Sequence, residues 1–187
     1  MKTSTQIVTT NTDNNGDGII DSRYSNTNTY DQRGNLLTGV LETDDNADGI
    51  IDSRYSYTNT YDQRGNLLTG ISEYDNDGDG VINYRDSYTN TYDQRGNLLT
   101  NVSETDNDGD GTIDSRYSNT NTYDQRGNQL TDVSENDYNA DGIIDSRYSY
   151  TNTYDQRGNL LTGISEYDND GDGVINYRDS YTNTYDQ

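Results

Sequence analysis

The chain has 187 residues, of which 27% are hydrophobic, carries a net charge of −22 and contains no Cys, Pro, His, Phe or Trp. So little apolar surface, taken alone, predicts a disordered chain, because its burial cannot offset the entropy that is lost on folding. The negative charge argues against nucleic acid as a partner, no stretch is apolar enough to insert into a membrane or to be an export signal, and without His or Cys we predict that the protein is not an enzyme.

The first predicted element is an edge strand within residues 1–12, a Thr-rich segment with Ile7 and Val8 at its centre. A nine-residue acidic loop follows, from Asp13 to Asp21. The same loop returns every 31 residues, and the six copies, loops 1 to 6, begin at Asp13, Asp44, Asp75, Asp106, Asp137 and Asp168. The spacing predicts one repeat domain over 1–187, with the edge strand at 1–12, full repeats at 13–43, 44–74, 75–105, 106–136 and 137–167, and a partial repeat at 168–187.

Each loop places oxygen-bearing side chains at alternate positions. In loop 3, D-N-D-G-D-G-V-I-N, the side chains of Asp75, Asp77 and Asp79 converge if the backbone curls around a centre, and Gly80 permits that turn. Clustered carboxylates repel one another unless a cation binds, and a set of oxygen ligands suits Ca²⁺ better than zinc or copper. The sequence therefore predicts about one Ca²⁺ per repeat.

The predicted ligands are the side chains at loop positions one, three, five and nine and the backbone carbonyl at position seven. They are Asp13, Asn15, Asp17, Ile19 and Asp21 in loop 1; Asp44, Asn46, Asp48, Ile50 and Asp52 in loop 2; Asp75, Asp77, Asp79, Val81 and Asn83 in loop 3; Asp106, Asp108, Asp110, Thr112 and Asp114 in loop 4; Asp137, Asn139, Asp141, Ile143 and Asp145 in loop 5; and Asp168, Asp170, Asp172, Val174 and Asn176 in loop 6.

The segment after each loop alternates with a period of two. In the second copy Tyr55, Tyr57 and Tyr61 share one face, and Arg54 and Thr58 share the other. Of the 19 tyrosines, 16 fall on that first face. The other three are Tyr74, Tyr138 and Tyr167. This pattern predicts a strand whose tyrosine face is the core, with a sugar-binding platform as the alternative.

Each hairpin closes with D-Q-R-G, found at residues 62–65 in the second copy. Asp at the first position and Gly at the fourth are typical of a type I turn followed by a residue with positive φ. With this turn Tyr61 is expected to face Leu67, and Tyr57 to face Ile71. The sequence thus predicts an all-β fold, an antiparallel array of hairpins with about twelve strands that is coiled or wound as a solenoid, with the calcium loops at one end of the hairpins and the turns at the other.

Residues 61–67, Y-D-Q-R-G-N-L, resemble the YD repeat of bacterial RHS proteins and teneurins. The resemblance covers roughly ten residues of every 31, in five full copies and a sixth that stops at Gln187. It implies antiparallel hairpins and an exported or surface location. The period here is longer and the chain lacks both proline and the RHS core signature, so the resemblance does not extend to enclosing a toxin.

The loops are similar to the D-x-D-x-D-G-x-x-D calcium loops of integrin α-subunit propellers, in which the ninth residue is a ligand and the loop joins two strands. An EF-hand would need an acidic residue at position twelve, where four copies have tyrosine. The glutamates two residues before loops 2 to 6 are expected to be solvated strand ends. The arginines that follow the loops are expected to pair with carboxylates across strands.

Three functions are compatible with this sequence. We expect a calcium-stiffened structural protein of the cell surface or the extracellular space, whose copies join head to tail through their terminal strands into a fibre. One alternative is a calcium-dependent adhesin or carbohydrate-binding module that binds surface glycans through its tyrosines. The other is a fragment of a larger RHS-like surface protein.

Overall fold

The computed structural model of the chain describes residues 3–185. Its strands are β1 (Ser4–Thr12), β2 (Ser22–Tyr30), β3 (Leu36–Asp44), β4 (Ser53–Tyr61), β5 (Leu67–Asp75), β6 (Tyr84–Tyr92), β7 (Leu98–Asp106), β8 (Ser115–Tyr123), β9 (Gln129–Asp137), β10 (Ser146–Tyr154), β11 (Leu160–Asp168) and β12 (Tyr177–Thr182). They form one sheet in chain order with antiparallel neighbours, which confirms the predicted twelve-stranded meander. Within these residues no helix is long and apolar enough to cross a membrane. Lys2, Asp186 and Gln187, predicted to belong to the terminal strands or the last turn, lie outside the described residues.

The chain divides into two compact units. One comprises Met1–Tyr88 and Thr105–Thr112, and the other comprises Thr89–Glu104 and Ile113–Gln187. Both are built in the same way, from hairpins that have a D-Q-R-G turn at one end and an acidic loop at the other.

The D-Q-R-G turn has the predicted geometry. All five turn glycines have φ between 87° and 92°, and Gly65 is at 92°. The Asp62 carboxylate accepts the backbone N–H groups of Arg64 and Asn66, each at 2.8 Å. Burial alone would raise the pKa of Asp62, but these N–H donors and the Asn66 amide outweigh it and hold that pKa below its usual value. The turn is therefore organised by an ionised aspartate as well as by its glycine.

The predicted register is wrong beyond the first pair of each hairpin. Tyr61 faces Leu67 as expected, but a β-bulge directly after Leu67 shifts every later pair by one. Tyr57 therefore faces Ser72, and Ile71 lies on the face opposite to the tyrosines. Because side chains alternate along a strand, one extra residue moves the whole remainder of β5 to the other face.

The shifted register brings additional tyrosines onto the tyrosine face. Tyr74 and Tyr167, predicted to lie off this face, are opposite Tyr55 and Tyr148. The ring centroids are 4.4 Å apart in the first pair and 4.7 Å apart in the second. Each pair stands directly before an acidic loop, because Tyr74 and Tyr167 precede the first aspartates of loops 3 and 6.

A backbone carbonyl beside the bulge is the acceptor for two side chains of the repeat, an asparagine and a tyrosine. The carbonyl of Leu36, beside the bulge, accepts the Asn59 side-chain amide at 3.2 Å and the Tyr61 hydroxyl at 3.1 Å from the following hairpin. Gln129 replaces leucine at the equivalent position, and its carbonyl accepts Asn152 and Tyr154 in the same way. Glutamine keeps these backbone contacts, and its side-chain amide also donates to Asn121 Oδ1 at 2.6 Å.

The described residues contain no buried apolar side chain. The tyrosines are half-buried or exposed, so the expected tyrosine core is not found in this part of the chain. Apart from three strand glycines, the buried residues of this part of the chain are polar: Asp44, Asp75, Asn90, Asp106, Asn121, Asp137, Ser149, Asn152 and Asp168. Because so little apolar surface is buried, its burial offsets only a small part of the chain entropy lost on folding, and the polar networks of the sheet gain in importance.

Candidate metal centre

Each acidic loop closes a hairpin between two strands, as predicted. In loop 3 the backbone N–H of Asn83, at position nine, donates to the carbonyl of Tyr74 at 2.7 Å, directly before position one. The equivalent bond closes loops 1, 2, 5 and 6 at 2.8 Å. The nine residues between these two strand ends are thus held in a compact turn.

The first aspartate of the loop is its organising residue. In loops 2 to 6 this side chain is only 2–4% exposed. In loop 3 the two oxygens of Asp75 accept the N–H groups of Gly78 at 2.7 Å and Gly80 at 2.9 Å. Burial opposes ionisation of Asp75, but these donors outweigh it and hold its pKa below the usual value. A buried, ionised carboxylate therefore lies at the base of the loop.

Two exposed carboxylates approach the first aspartate in three of the loops. In each of these groups one oxygen from every aspartate lies within 4.8 Å of the others. The groups found within the described residues are Asp75, Asp77 and Asp79 in loop 3; Asp106, Asp108 and Asp110 in loop 4; and Asp168, Asp170 and Asp172 in loop 6. Three carboxylates this close form a site of the size and ligand type that a divalent cation with oxygen preference requires.

Loop 6 has a further feature that points to a ligand. Asp168 is 4% exposed, and its Oδ1 has no hydrogen-bond partner among the described residues. A buried carboxylate oxygen without a hydrogen bond is costly, because it has lost its contacts with water. A cation bound among Asp168, Asp170 and Asp172 would satisfy it.

The residue at position nine closes the loop with its side chain. Asn83 Oδ1 accepts the N–H of Asn76 at 2.6 Å, and Asp52 Oδ2 accepts the N–H of Asp45 at the same distance. The predicted role of position nine as a ligand stays a prediction, as does that of the carbonyl at position seven. At position seven the side chains of Ile19, Ile50, Val81, Ile143 and Val174 are exposed, so only the backbone of these residues is suited to ligation.

Positions three and nine compensate for each other in charge. Loops 1, 2 and 5 have Asn at position three and Asp at position nine, whereas loops 3 and 6 have the reverse, and loop 4 has Asp at both. Every loop therefore keeps at least three acidic residues among positions one, three, five and nine. This signal is present in the sequence but was not used in the prediction, and it indicates that position nine belongs to the same site as position three.

The neighbouring charged residues are engaged elsewhere. Glu135 pairs with Arg147 at 3.3 Å, and four equivalent Glu–Arg pairs lie at 3.4–3.8 Å, which confirms the expected cross-strand pairing. Pairs as exposed as these contribute at most about 1 kcal/mol each. Asp86, at the twelfth position counted from Asp75, accepts the hydroxyls of Tyr84 at 2.7 Å and Thr105 at 2.8 Å. It is therefore held in the sheet and not in the loop, unlike the twelfth residue of an EF-hand.

Comparisons with known proteins leave this chain without an assigned family. No family model matches it, and no curated protein matches it significantly. One solved structure that aligns with it is a porin-like protein from Bacteroides uniformis ATCC 8492, with 12% sequence identity, over 93% of this chain and 94% of that one. The TM-score is 0.22, which does not establish a common fold and says nothing about function.

Proposed function

We propose that the protein is a calcium-binding structural repeat protein in which the ions hold the hairpins together. The observation that carries this proposal is the buried first aspartate of the loops, joined in loops 3, 4 and 6 by two further carboxylates within 4.8 Å. Calcium is the preferred ion because all available ligands are oxygens. Six bound ions would change the net charge from −22 to −22 + 12 = −10.

A structural role follows from what the sheet lacks. With no apolar core in the described residues, the loops are the strongest candidate for an additional source of stability. Calcium modules of extracellular proteins bind at about 10⁻⁴ to 10⁻³ M, and we expect single loops of this chain to bind in that range. We therefore propose that the protein acts at the cell surface or in the extracellular space.

Calorimetric titration with calcium tests the proposal. Wild-type protein is expected to bind several ions, approaching one per repeat. Asp79→Asn, which changes a ligand position of loop 3, is expected to lower the number bound by at least one. Asp45→Asn removes the same charge from an exposed residue beside the ligand positions of loop 2, and is expected to leave the number unchanged. Wild-type protein that binds no calcium, or equal losses in both variants, would show the proposal to be wrong.

We also propose that the partner of the protein is a second copy of itself. The strand order ends on β1 and β12, and every residue of both strands is exposed. Unprotected edges pair readily with other strands, and pairing β12 of one copy with β1 of the next would continue the antiparallel order into a filament.

Sedimentation velocity in calcium tests this assembly. Wild-type protein is expected to form larger species as its concentration rises. Val8→Lys, which places a charge in the middle of β1, is expected to remain a folded monomer, because edge lysines oppose strand pairing. Thr43→Lys, which places the same charge inside the sheet at the end of β3, serves as the control and is expected to assemble. Monomeric wild-type protein at every concentration would rule out the fibre.

A further inference from the structure

In loops 3, 4 and 6 the residue at position four contacts the preceding loop. A Cβ atom added to Gly78, in loop 3, would lie 2.7 Å from the carbonyl carbon of Ile51, at position eight of loop 2, and closer still to its oxygen. Side chains do not approach backbone this closely, so only glycine fits. The same contact joins loop 4 to loop 3 and loop 6 to loop 5. The three pairs are Gly78 with Ile51, Gly109 with Ile82, and Gly171 with Ile144.

Each residue of this contact is linked to a predicted calcium ligand, one by a hydrogen bond and the other by the chain itself. The N–H of Gly78 donates to Oδ1 of Asp75, the buried aspartate of its own loop, at 2.7 Å. On the other side, Ile51 is followed directly by Asp52, whose carboxylate closes loop 2 by accepting the N–H of Asp45 at 2.6 Å. One carbonyl and one glycine thus connect position nine of one loop with position one of the next.

The alanine-containing loops show that positive φ is not what requires the glycine. Ala47 occupies position four of loop 2 with φ 56°, and Ala140 occupies it in loop 5 with φ 53°. In loop 2, Asp44 Oδ1 is reached by the N–H of Asp48 at 3.1 Å, one residue later than in the glycine loops. Loop 5 repeats this arrangement. Alanine is accepted at a nearby positive φ, so in loops 3, 4 and 6 it is the contact with the preceding loop that excludes a side chain at position four.

We infer that the loops take up calcium cooperatively in two blocks, the first made of loops 2 and 3 with residues 106–112 of loop 4, and the second made of loops 5 and 6. This inference rests on the proposed calcium-binding function. An ion bound in loop 2 fixes the Ile51 carbonyl, which is the surface against which the Gly78 turn of loop 3 forms. The next ion then binds to a loop that is already ordered, and the ordering entropy is not lost a second time.

Calcium titrations of Gly78→Ala and Gly16→Ala test the coupling. Gly16 is position four of loop 1, with φ +75° against +70° for Gly78, and a Cβ added there meets nothing within 4 Å. The two variants therefore share the backbone strain and differ in the contact. Wild-type protein is expected to bind with a Hill coefficient above one. Gly78→Ala is expected to lower that coefficient and to weaken binding by about fivefold or more at the coupled loops, whereas Gly16→Ala is expected to affect loop 1 alone.

A second titration decides the matter if Gly78→Ala does not fold in calcium. Asp79→Asn, in the middle loop of the first block, is expected to weaken loops 2 and 4 as well as loop 3. Asp17→Asn, in loop 1, is expected to remove one site only. A Hill coefficient of one for wild-type protein, or equal effects in each matched pair of variants, would overturn the coupling while leaving calcium binding intact. If wild-type protein binds no calcium, the proposed function itself is wrong.

Discussion

Chelation of calcium with EGTA is expected to abolish the β-sheet signal of the protein in far-ultraviolet circular dichroism, and excess calcium is expected to restore it. Without ions, the exposed carboxylates of loop 3 repel one another and the buried Asp75 close beside them. That repulsion opposes the strand pairing which closes the hairpin, because the loop and the first strand pair form together. Folding and calcium binding are then one equilibrium.

The expected size of this effect is large relative to the stability of a domain. One loop in calcium at one hundred times its dissociation constant is stabilised by about 2.7 kcal/mol. Several loops together reach the net stability of an ordinary domain, about 5–15 kcal/mol. The melting temperature should therefore rise steadily with calcium concentration. Magnesium is the control, since it holds its water tightly and demands octahedral geometry, and it is expected to restore less structure at equal concentration. Identical melting curves in EGTA and in calcium would contradict this account.

Features set by local chemistry could be predicted from the sequence. The loops follow from aspartates at alternate positions with glycine at position six, and the turns follow from Asp and Gly at fixed places in D-Q-R-G. Both signals lie within nine residues or fewer. The period-two pattern predicts a strand after each loop, and β4 lies there, at Ser53–Tyr61, between loop 2 and the turn at 62–65.

Features that depend on pairing between strands could not be predicted. The bulge after Leu67 is absent from the sequence pattern, because two consecutive leucines fit a regular strand as well as a bulged one. Because this one extra residue was not predicted, the predicted register put Ile71 on the tyrosine face and Tyr74 on the other face, which is the reverse of the structure. The restriction at position four could not be predicted for the same reason. A side chain at Gly78 would meet a backbone carbonyl of the preceding loop, 27 residues earlier in the chain.

Strand glycines are a third feature of this kind, and they provide the second large expected effect. Gly70 lies in β5 beneath the ring of Tyr88, and a Cβ added to it would be 2.5 Å from the Cε1 atom of that ring. The Tyr88 hydroxyl passes over the glycine and donates to Asn59 Oδ1 at 3.1 Å. Gly39 and Tyr57 repeat the arrangement one hairpin earlier.

The chain itself contains an alternative to this pair. At the equivalent positions, 31 residues after Gly70 and Tyr88, both residues are asparagine, Asn101 and Asn119. The Asn101 amide donates to Asn90 Oδ1 at 2.7 Å, and so replaces the bond that the Tyr88 hydroxyl makes to Asn59. Glycine with tyrosine at Asn59, and asparagine with asparagine at Asn90, are thus two ways to bond the same asparagine of the repeat.

Gly70→Asn is therefore expected to destabilise the protein in calcium by about 1–3 kcal/mol, because the new side chain overlaps the Tyr88 ring. Tyr88→Asn alone is expected to be destabilising as well, since the ring and its hydrogen bond to Asn59 are lost. The double variant recreates the natural asparagine pair and is expected to be more stable than the sum of the single effects predicts, with a coupling of about 0.5–3 kcal/mol. Urea denaturation of the four proteins measures this cycle. Additive single effects would mean that the ring and the glycine are independent, and that the contact does not restrict the residue at position 70.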